Sequence, residues 1–308
     1  MRHAFVKALC EIAQKDERIF LITADLGFNV LEPFREKFPK RFLNIGVAEA
    51  NLITVAAGLS TTGHVPFVYS IATFATMRPF EQIRCDISLH NANVKIIGIG
   101  GGLAYSKAGP THHSFDDIAL LRTMKNMVIV DPCSQNQTYE ATKAISIHKG
   151  PVYMRIEHDP DPPHSLSTQK FRLGEGEEIK KGKSVAIMTT GTKLSLAISI
   201  SHALKRHGII PSVCQFSTIN PIDTDLIKKT LNSHRTVVSI EEHSVEGGLG
   251  SIISDQLATS DNSHKCRVIK FGLNSTSKLT TGSYDVLMKY HGLSKEFIVK
   301  QIISHAKG

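Results

Sequence analysis

The strongest constraint on the fold is an alternation of hydrophobic period along the chain. Phe5, Ala8, Leu9 and Ile12 recur at helical spacing, and Ile19 to Ile22 then form a short unbroken apolar run. Similar runs occupy Phe42 to Ile45, Val65 to Tyr69, Val94 to Ile99, Met127 to Val130 and Val152 to Ile156, with helical segments between most of them. A strand without polar alternation is buried on both faces, as in a central parallel strand covered by crossover helices. The alternation resumes at Val185 to Met188, a helix from Leu194 to Arg206, Val213 to Phe216, Val237 to Ile240 and Val268 to Phe271. Between the two series, His158 to Lys170 carries three prolines and no periodicity. The expectation is α/β: two doubly wound three-layer domains with mainly parallel sheets, over 1–160 and 184–308, joined by a linker at 161–183. A length of 308 residues suits two such cores better than one.

Composition narrows the functional classes. Hydrophobic residues at 41% and charged residues at 21% support a substantial core and exclude general disorder. No window approaches the roughly 18 apolar residues of a membrane span. Glu11, Gln14, Lys15 and Asp16 interrupt the N-terminal segment where a secretory signal would stay apolar. Five cysteines without a CxxC pair read as reduced thiols, so a cytoplasmic location is expected. The net charge of +8 raises the question of an acidic partner. Aromatics at 6%, no Trp and no long basic run argue against nucleic acid, leaving a small anionic ligand or simple solubility.

In open α/β sheets, ligands gather where loops leave the carboxyl ends of strands. Four clusters fall there: Asp25 to Asn29, Gly46 to Asn51, Gly98 to His113, and Arg155 to His158. Glu49, among Val47, Ala48, Ala50 and Leu52, is either a helix-dipole partner or a carboxylic acid held away from water. The turn Gly98-Ile99-Gly100-Gly101-Gly102-Leu103 lacks the final Gly of a dinucleotide fingerprint. It reads instead as a flexible loop delivering Thr111, His112 and His113 to a helix start, with Ser114 or a neighbour as cap and Asp116 and Asp117 in the first turn. The paired histidines are solvated, capping or substrate-facing. Phe80 reads as core, whereas Phe74, just beyond a strand, could stack on a heterocycle. There is no GxSxG elbow, Walker A motif or HExxH zinc motif.

Taken in order, RHAFVKALCEIAQKDERIFLITADLG, RFLNIGVAEANLITVAAGL, TFATMRPFEQIR, GPTHHSFDDIALLR and GPVYMRIE resemble the pyrimidine-binding domain of transketolases. SVAIMTTGTKLSLAISISHALKRHGI and VVSIEEHSVEGGLGSIISDQL resemble the transketolase C-terminal domain. The resemblance spans essentially the whole chain and implies thiamine diphosphate as cofactor. It matches Glu49 in GVAEA to the glutamate that hydrogen-bonds the aminopyrimidine, and Phe74 to the aromatic residue packed on that ring. Ile71 stands where a second aromatic is sometimes found, so that wall of the pocket is altered. His112 matches a histidine beside the substrate hydroxyls, and Arg155 a position that often holds the substrate phosphate. Asp25 and Asn29 match the ADL loop near the active-site entrance, and Arg2 matches another phosphate-facing arginine.

Two departures bear on substrate. Lys107-Ala108 stands where an acidic residue often contacts the sugar, and Gly100 where a histidine is expected near the phosphate. The chain also lacks the GDG motif through which the family holds the diphosphate and Mg²⁺. The resemblance therefore implies a split transketolase: an N-terminal partner chain carries GDG and Mg²⁺, and the two kinds of chain assemble as α₂β₂. The expected reaction moves a two-carbon ketol unit from a ketose, or ketose phosphate, to an aldose. The alternatives are a decarboxylating enzyme like the β subunits of 2-oxo acid dehydrogenases or the deoxyxylulose phosphate synthases, and a non-catalytic regulatory subunit.

Overall fold

The structure is a computed structural model and describes residues 1–157, 171–259, 266–274 and 281–306. Its strands, in chain order, are β1 Ile19–Thr23, β2 Phe42–Asn44, β3 Val65–Ile71, β4 Lys95–Ile99, β5 Val128–Val130, β6 Val152–Ile156, β7 Gly176–Lys180, β8 Val185–Thr189, β9 Ser212–Phe216, β10 Thr218–Asn220, β11 Thr236–Ser244 and β12 Arg267–Leu273. They form a seven-stranded sheet, β10-β5-β6-β4-β3-β1-β2, and a five-stranded sheet, β12-β11-β8-β9-β7. β10 and β7 run antiparallel to their neighbours and every other pairing is parallel. Each apolar run of the sequence is a strand; β3, β4, β5, β6, β8 and β9 are buried nearly throughout, as a sheet interior covered on both faces requires, whereas the edge strands β2 and β12 are partly exposed.

The pleat sends alternate residues of β3 to opposite layers. Phe67 and Tyr69 pack with Phe5 and Leu9 of the helix Arg2–Ala13, whereas Val68 joins Ile53 and Ala56 of the helix Glu49–Thr61. Each such side chain contributes about 1.5–3 kcal/mol by leaving water. Phe67→Ala would cost about 3–5 kcal/mol, through lost transfer energy and the cavity left behind. In the second sheet Ile187 and Val238 meet Leu194, Ala197 and Ile298 on one side, and Ala186 and Val237 meet Leu249 and Ile253 on the other. Among the described residues no helix is long and apolar enough to cross a membrane.

Three expectations need correction. The stretch 161–183 is not linker throughout, because Gly176–Lys180 pairs with β9 as the edge of the second sheet. Its side chains are all half-buried, so no clear alternation marks it in the sequence. The Pro-rich segment His158 to Lys170 lies outside the described residues. The helix after the histidine loop is Asp117–Arg122 with Asp116 at its N-cap, later than a Ser114 cap would place it. The Ser114 backbone is used instead to bridge Gly102 and close the loop. Finally, β10 follows β9 directly yet crosses to the first sheet, where Thr218 and Asn220 pair with β5.

Candidate active site

Glu49 opens the helix that follows β2 and the Gly46 turn, and its side chain is buried. A buried carboxylate needs partners. Ser70, near the end of β3, donates its hydroxyl to Glu49 Oε1 at 3.3 Å, and Arg78 Nη1 donates to Oε2 at 2.8 Å. Ile71 ends β3 and caps the helix Ala72–Met77, on which Phe74 is half-buried. Arg78 follows Phe74 by four residues, so it lies over the same helical face. Its guanidinium carbon is 3.8 Å from the centre of the Phe74 ring.

His112 comes from the loop after β4. Its ring centre is 5.0 Å from that of Phe74 and 6.1 Å from that of Tyr105. Thr111 Oγ1 lies 3.0 Å from His112 Nδ1, which leaves Nε2 for other partners. The neighbouring His113 is buried, stacked on Phe115 at 14° between ring planes, and burial pushes its imidazole below the usual histidine range. Of the two histidines, His112 is the one whose ring packs on Phe74, whereas His113 is buried against Phe115. A groove of about 460 Å³ runs beside them, with Phe74, Met77, Thr111, His113 and Phe115 in its walls.

The histidine loop is tied down at its base. Gly102 and Ser114 exchange backbone hydrogen bonds of 3.0 and 2.9 Å. Leu103 N donates to Glu242 Oε1, on β11, at 2.7 Å. The other oxygen of Glu242 takes Lys193 Nζ and the Tyr284 hydroxyl, which lie 2.6 Å from each other. Gly102 has φ +63°, and a Cβ there would fall 2.5 Å from the Glu242 side chain, so only glycine admits this approach. The second sheet thus holds the loop that the first sheet presents.

The structure places Arg155 differently from the expectation. It is fully buried on β6 and donates from Nε to Asp117 Oδ2 at 2.9 Å. Its Nη1 is held by Glu157, with Asp131 Oδ2 at 3.8 Å. Nη2 donates to the carbonyls of Ser114 at 3.2 Å and Glu242 at 2.8 Å. Every nitrogen is committed inside the protein, so Arg155 offers no face to a substrate phosphate. Burial works to raise the Asp117 carboxyl, but Arg155 holds it below the usual carboxylate range. Burial and the adjacent Glu157 push Asp131 well above that range.

The entrance candidates share the same sheet edge but bond elsewhere. Asp25 and Asn29 are exposed, with φ of 55° and 62°. Asp25 exchanges two hydrogen bonds with the Asn44 side chain, at 3.0 and 2.9 Å, and Asn29 N donates to Glu32 at 3.0 Å. Arg2 is exposed at the start of the first helix, and its charge opposes the burial that raises the Tyr69 and Tyr105 phenols. The structure thus brings Glu49, Ile71, Phe74 and His112 together, holds Arg155 in the interior, and leaves Asp25 and Asn29 on the rim. Sequence reasoning missed Arg78, Tyr105 and the Glu242 clamp. The spacing of four from Phe74 was a readable signal for Arg78, whereas the clamp joins residues 139 apart in the chain.

Fold and site together define a two-sheet open α/β protein whose polar cluster lies at the carboxyl edge of a parallel sheet, where such folds bind ligands. Residues 1–159 match the transketolase pyrimidine binding domain, and residues 174–298 match the transketolase C-terminal domain. One of the subunits of the apulose-4-phosphate transketolase of Phocaeicola vulgatus is 33% identical, over 99% of this chain and 97% of its own. The 1-deoxy-D-xylulose-5-phosphate synthase of Chlorobaculum tepidum is 32% identical, over 99% of this chain and 48% of its own. A split gene transketolase, solved as an inactive beta4 tetramer, superposes with a TM-score of 0.88 at 33% identity, covering 99% of this chain and 98% of that one. The chain belongs to the transketolase family.

Proposed function

We propose that this chain is the subunit of a split thiamine diphosphate-dependent transketolase that carries the pyrimidine side of the active site. The observation that carries the reading is the convergence of a buried Glu49, the Phe74 ring and His112 at one strand edge. The residues fit the cofactor's aminopyrimidine, because the flat, N–H-bearing Arg78 guanidinium already stacks on Phe74 while donating to Glu49. When bound, thiamine diphosphate supplies the nucleophilic carbon on which a two-carbon ketol unit is carried from a ketose phosphate to an aldose. Glu49 exchanges a proton with a ring nitrogen from its buried oxygen, a position that keeps water from competing for it. Phe74 orients the ring, with Ile71 at its border. His112 Nε2 hydrogen-bonds substrate hydroxyls and relays their protons, and Arg2, Asp25 and Asn29 line the approach.

The diphosphate and its Mg²⁺ belong to a partner chain carrying the GDG motif, in an α₂β₂ assembly. Support comes from relatives that are themselves one subunit of a transketolase and a split gene transketolase. The test is coexpression with a GDG-containing chain encoded beside this one, followed by copurification and product analysis. Ketol transfer from a ketose phosphate supports the reading. Failure to recruit such a chain, or an assembly that takes up no thiamine diphosphate, overturns it. The likeness to a deoxyxylulose phosphate synthase favours one alternative, decarboxylation of pyruvate, which the same product analysis with pyruvate as donor would reveal.

A further inference from the structure

Arg78 lies where two of the proposed cofactor contacts meet. Its Nη1 is 2.8 Å from Glu49 Oε2, and its guanidinium lies over the Phe74 ring at 3.8 Å. A guanidinium is planar, has N–H donors along its edge and is weakly hydrated on its faces, so it can stack on a ring and pair with a carboxylate at once. An aminopyrimidine offers the same combination of a flat face and an N–H edge. One ring face and one carboxylate oxygen cannot serve both groups.

The side chain is also free to leave. It is 45% exposed, against 3% for Glu49. It follows the last turn of the helix Ala72–Met77 and borders the groove that Thr111 and Asp116 line, which gives a displaced guanidinium room and an acidic neighbour. While it stays, it keeps the buried Glu49 paired, which an unliganded carboxylate in that position needs.

We propose that Arg78 is an internal competitor for the aminopyrimidine, occupying Glu49 and Phe74 until the cofactor displaces it. The proposal rests on the reading of this site as thiamine-binding. Cofactor affinity is then reduced by the fraction of molecules in which Arg78 stands aside. Removing the guanidinium should raise affinity by about tenfold, the effect of a competent fraction near one in ten.

The experiment is calorimetric titration of thiamine diphosphate, with Mg²⁺ present, into the full chain assembled with its partner. It compares wild type, Arg78→Met and Arg78→Lys, each shown to be folded by circular dichroism. Arg78→Met should bind about tenfold tighter, and Arg78→Lys, which keeps the charge but not the flat face, should fall between. Equal or weaker binding by Arg78→Met overturns the proposal. If that variant does not fold, Arg78→Lys decides, and binding no tighter than wild type overturns it equally. A wild-type assembly that takes up no thiamine diphosphate instead refutes the underlying reading, so the two failures are told apart.

Discussion

Arg155 and Asp117 meet at 2.9 Å with neither side chain exposed to water, and their pairing fastens β6 to the start of the helix behind the histidine loop. Glu157 and Asp131 crowd the same guanidinium, and of the three acids it is Asp117 that Arg155 holds below the usual carboxylate range against burial. Arg155→Met should therefore cost about 3–5 kcal/mol of stability, since it leaves the buried Asp117 carboxylate without its counter-charge, with only the Tyr153 hydroxyl still donating to it. Urea unfolding would show it. A well-folded variant with only a raised KM for a phosphorylated substrate would mean that Arg155 contacts substrate after all.

His243 should make the fold acid-sensitive. Its Nδ1 lies 2.9 Å from the Ser244 carbonyl and its Nε2 accepts from Ala119 N at 3.3 Å, an arrangement only the neutral ring can make. Burial pushes its pKa down to about 4 from an ordinary 6.5. Between those values the unfolded chain binds a proton that the folded chain refuses, so stability present above pH 6.5 is lost as pH falls towards 4. At pH 5 the loss is about 2 kcal/mol, from about 1.36 kcal/mol per pH interval. Denaturation midpoints across this range should fall more steeply for wild type than for His243→Gln.

Gly102→Ala tests the clamp between the two sheets. The new methyl group meets Glu242 at 2.5 Å and forces an alanine to a positive φ, so a destabilisation of about 2–3 kcal/mol is expected. In the proposed assembly, turnover should fall while thiamine diphosphate affinity stays near wild type, because Glu49 and Phe74 are untouched. Thermal melting and calorimetry measure the two effects separately. Parallel loss of cofactor binding would show that the clamp supports the whole cleft and not the histidine loop alone.

Glu49→Gln keeps the shape of the side chain and removes its ability to exchange a proton. Turnover of the assembly should drop by about 10²–10⁴, the usual contribution of a positioned acid or base. Steady-state rates on the coexpressed complex would decide, and near-normal turnover would remove Glu49 from the proposed role.

The parallel strands were legible because their apolar runs report a local condition, burial on both faces, that each segment carries in itself. That Glu49, Phe74 and His112 lie close together was an expectation of the transketolase resemblance alone, and the Phe74–Arg78 contact was there to be read in a spacing of four. Arg155 shows the limit. An arginine after a strand looks the same in sequence whether it meets a ligand or three carboxylates, and those carboxylates come from positions 117, 131 and 157. β7 and β10 were hidden for a related reason: an antiparallel edge strand takes its identity from a neighbour far along the chain, and the three residues of β10 are too short to show any period.

β10 has a practical consequence for anyone dissecting the molecule. A fragment ending near residue 157 would leave β5 as an uncovered sheet margin of Val128, Ile129 and Val130, with free backbone amides and carbonyls to recruit another chain. Such a fragment should aggregate on expression, and it would also lose Phe216, Ile219, Ile227 and Leu231, which share one buried cluster with Ile129 and Tyr153. The two halves are folding clients of each other, and any attempt to isolate the cofactor-facing half needs residues 218–220 supplied in trans or a charged substitution along that margin.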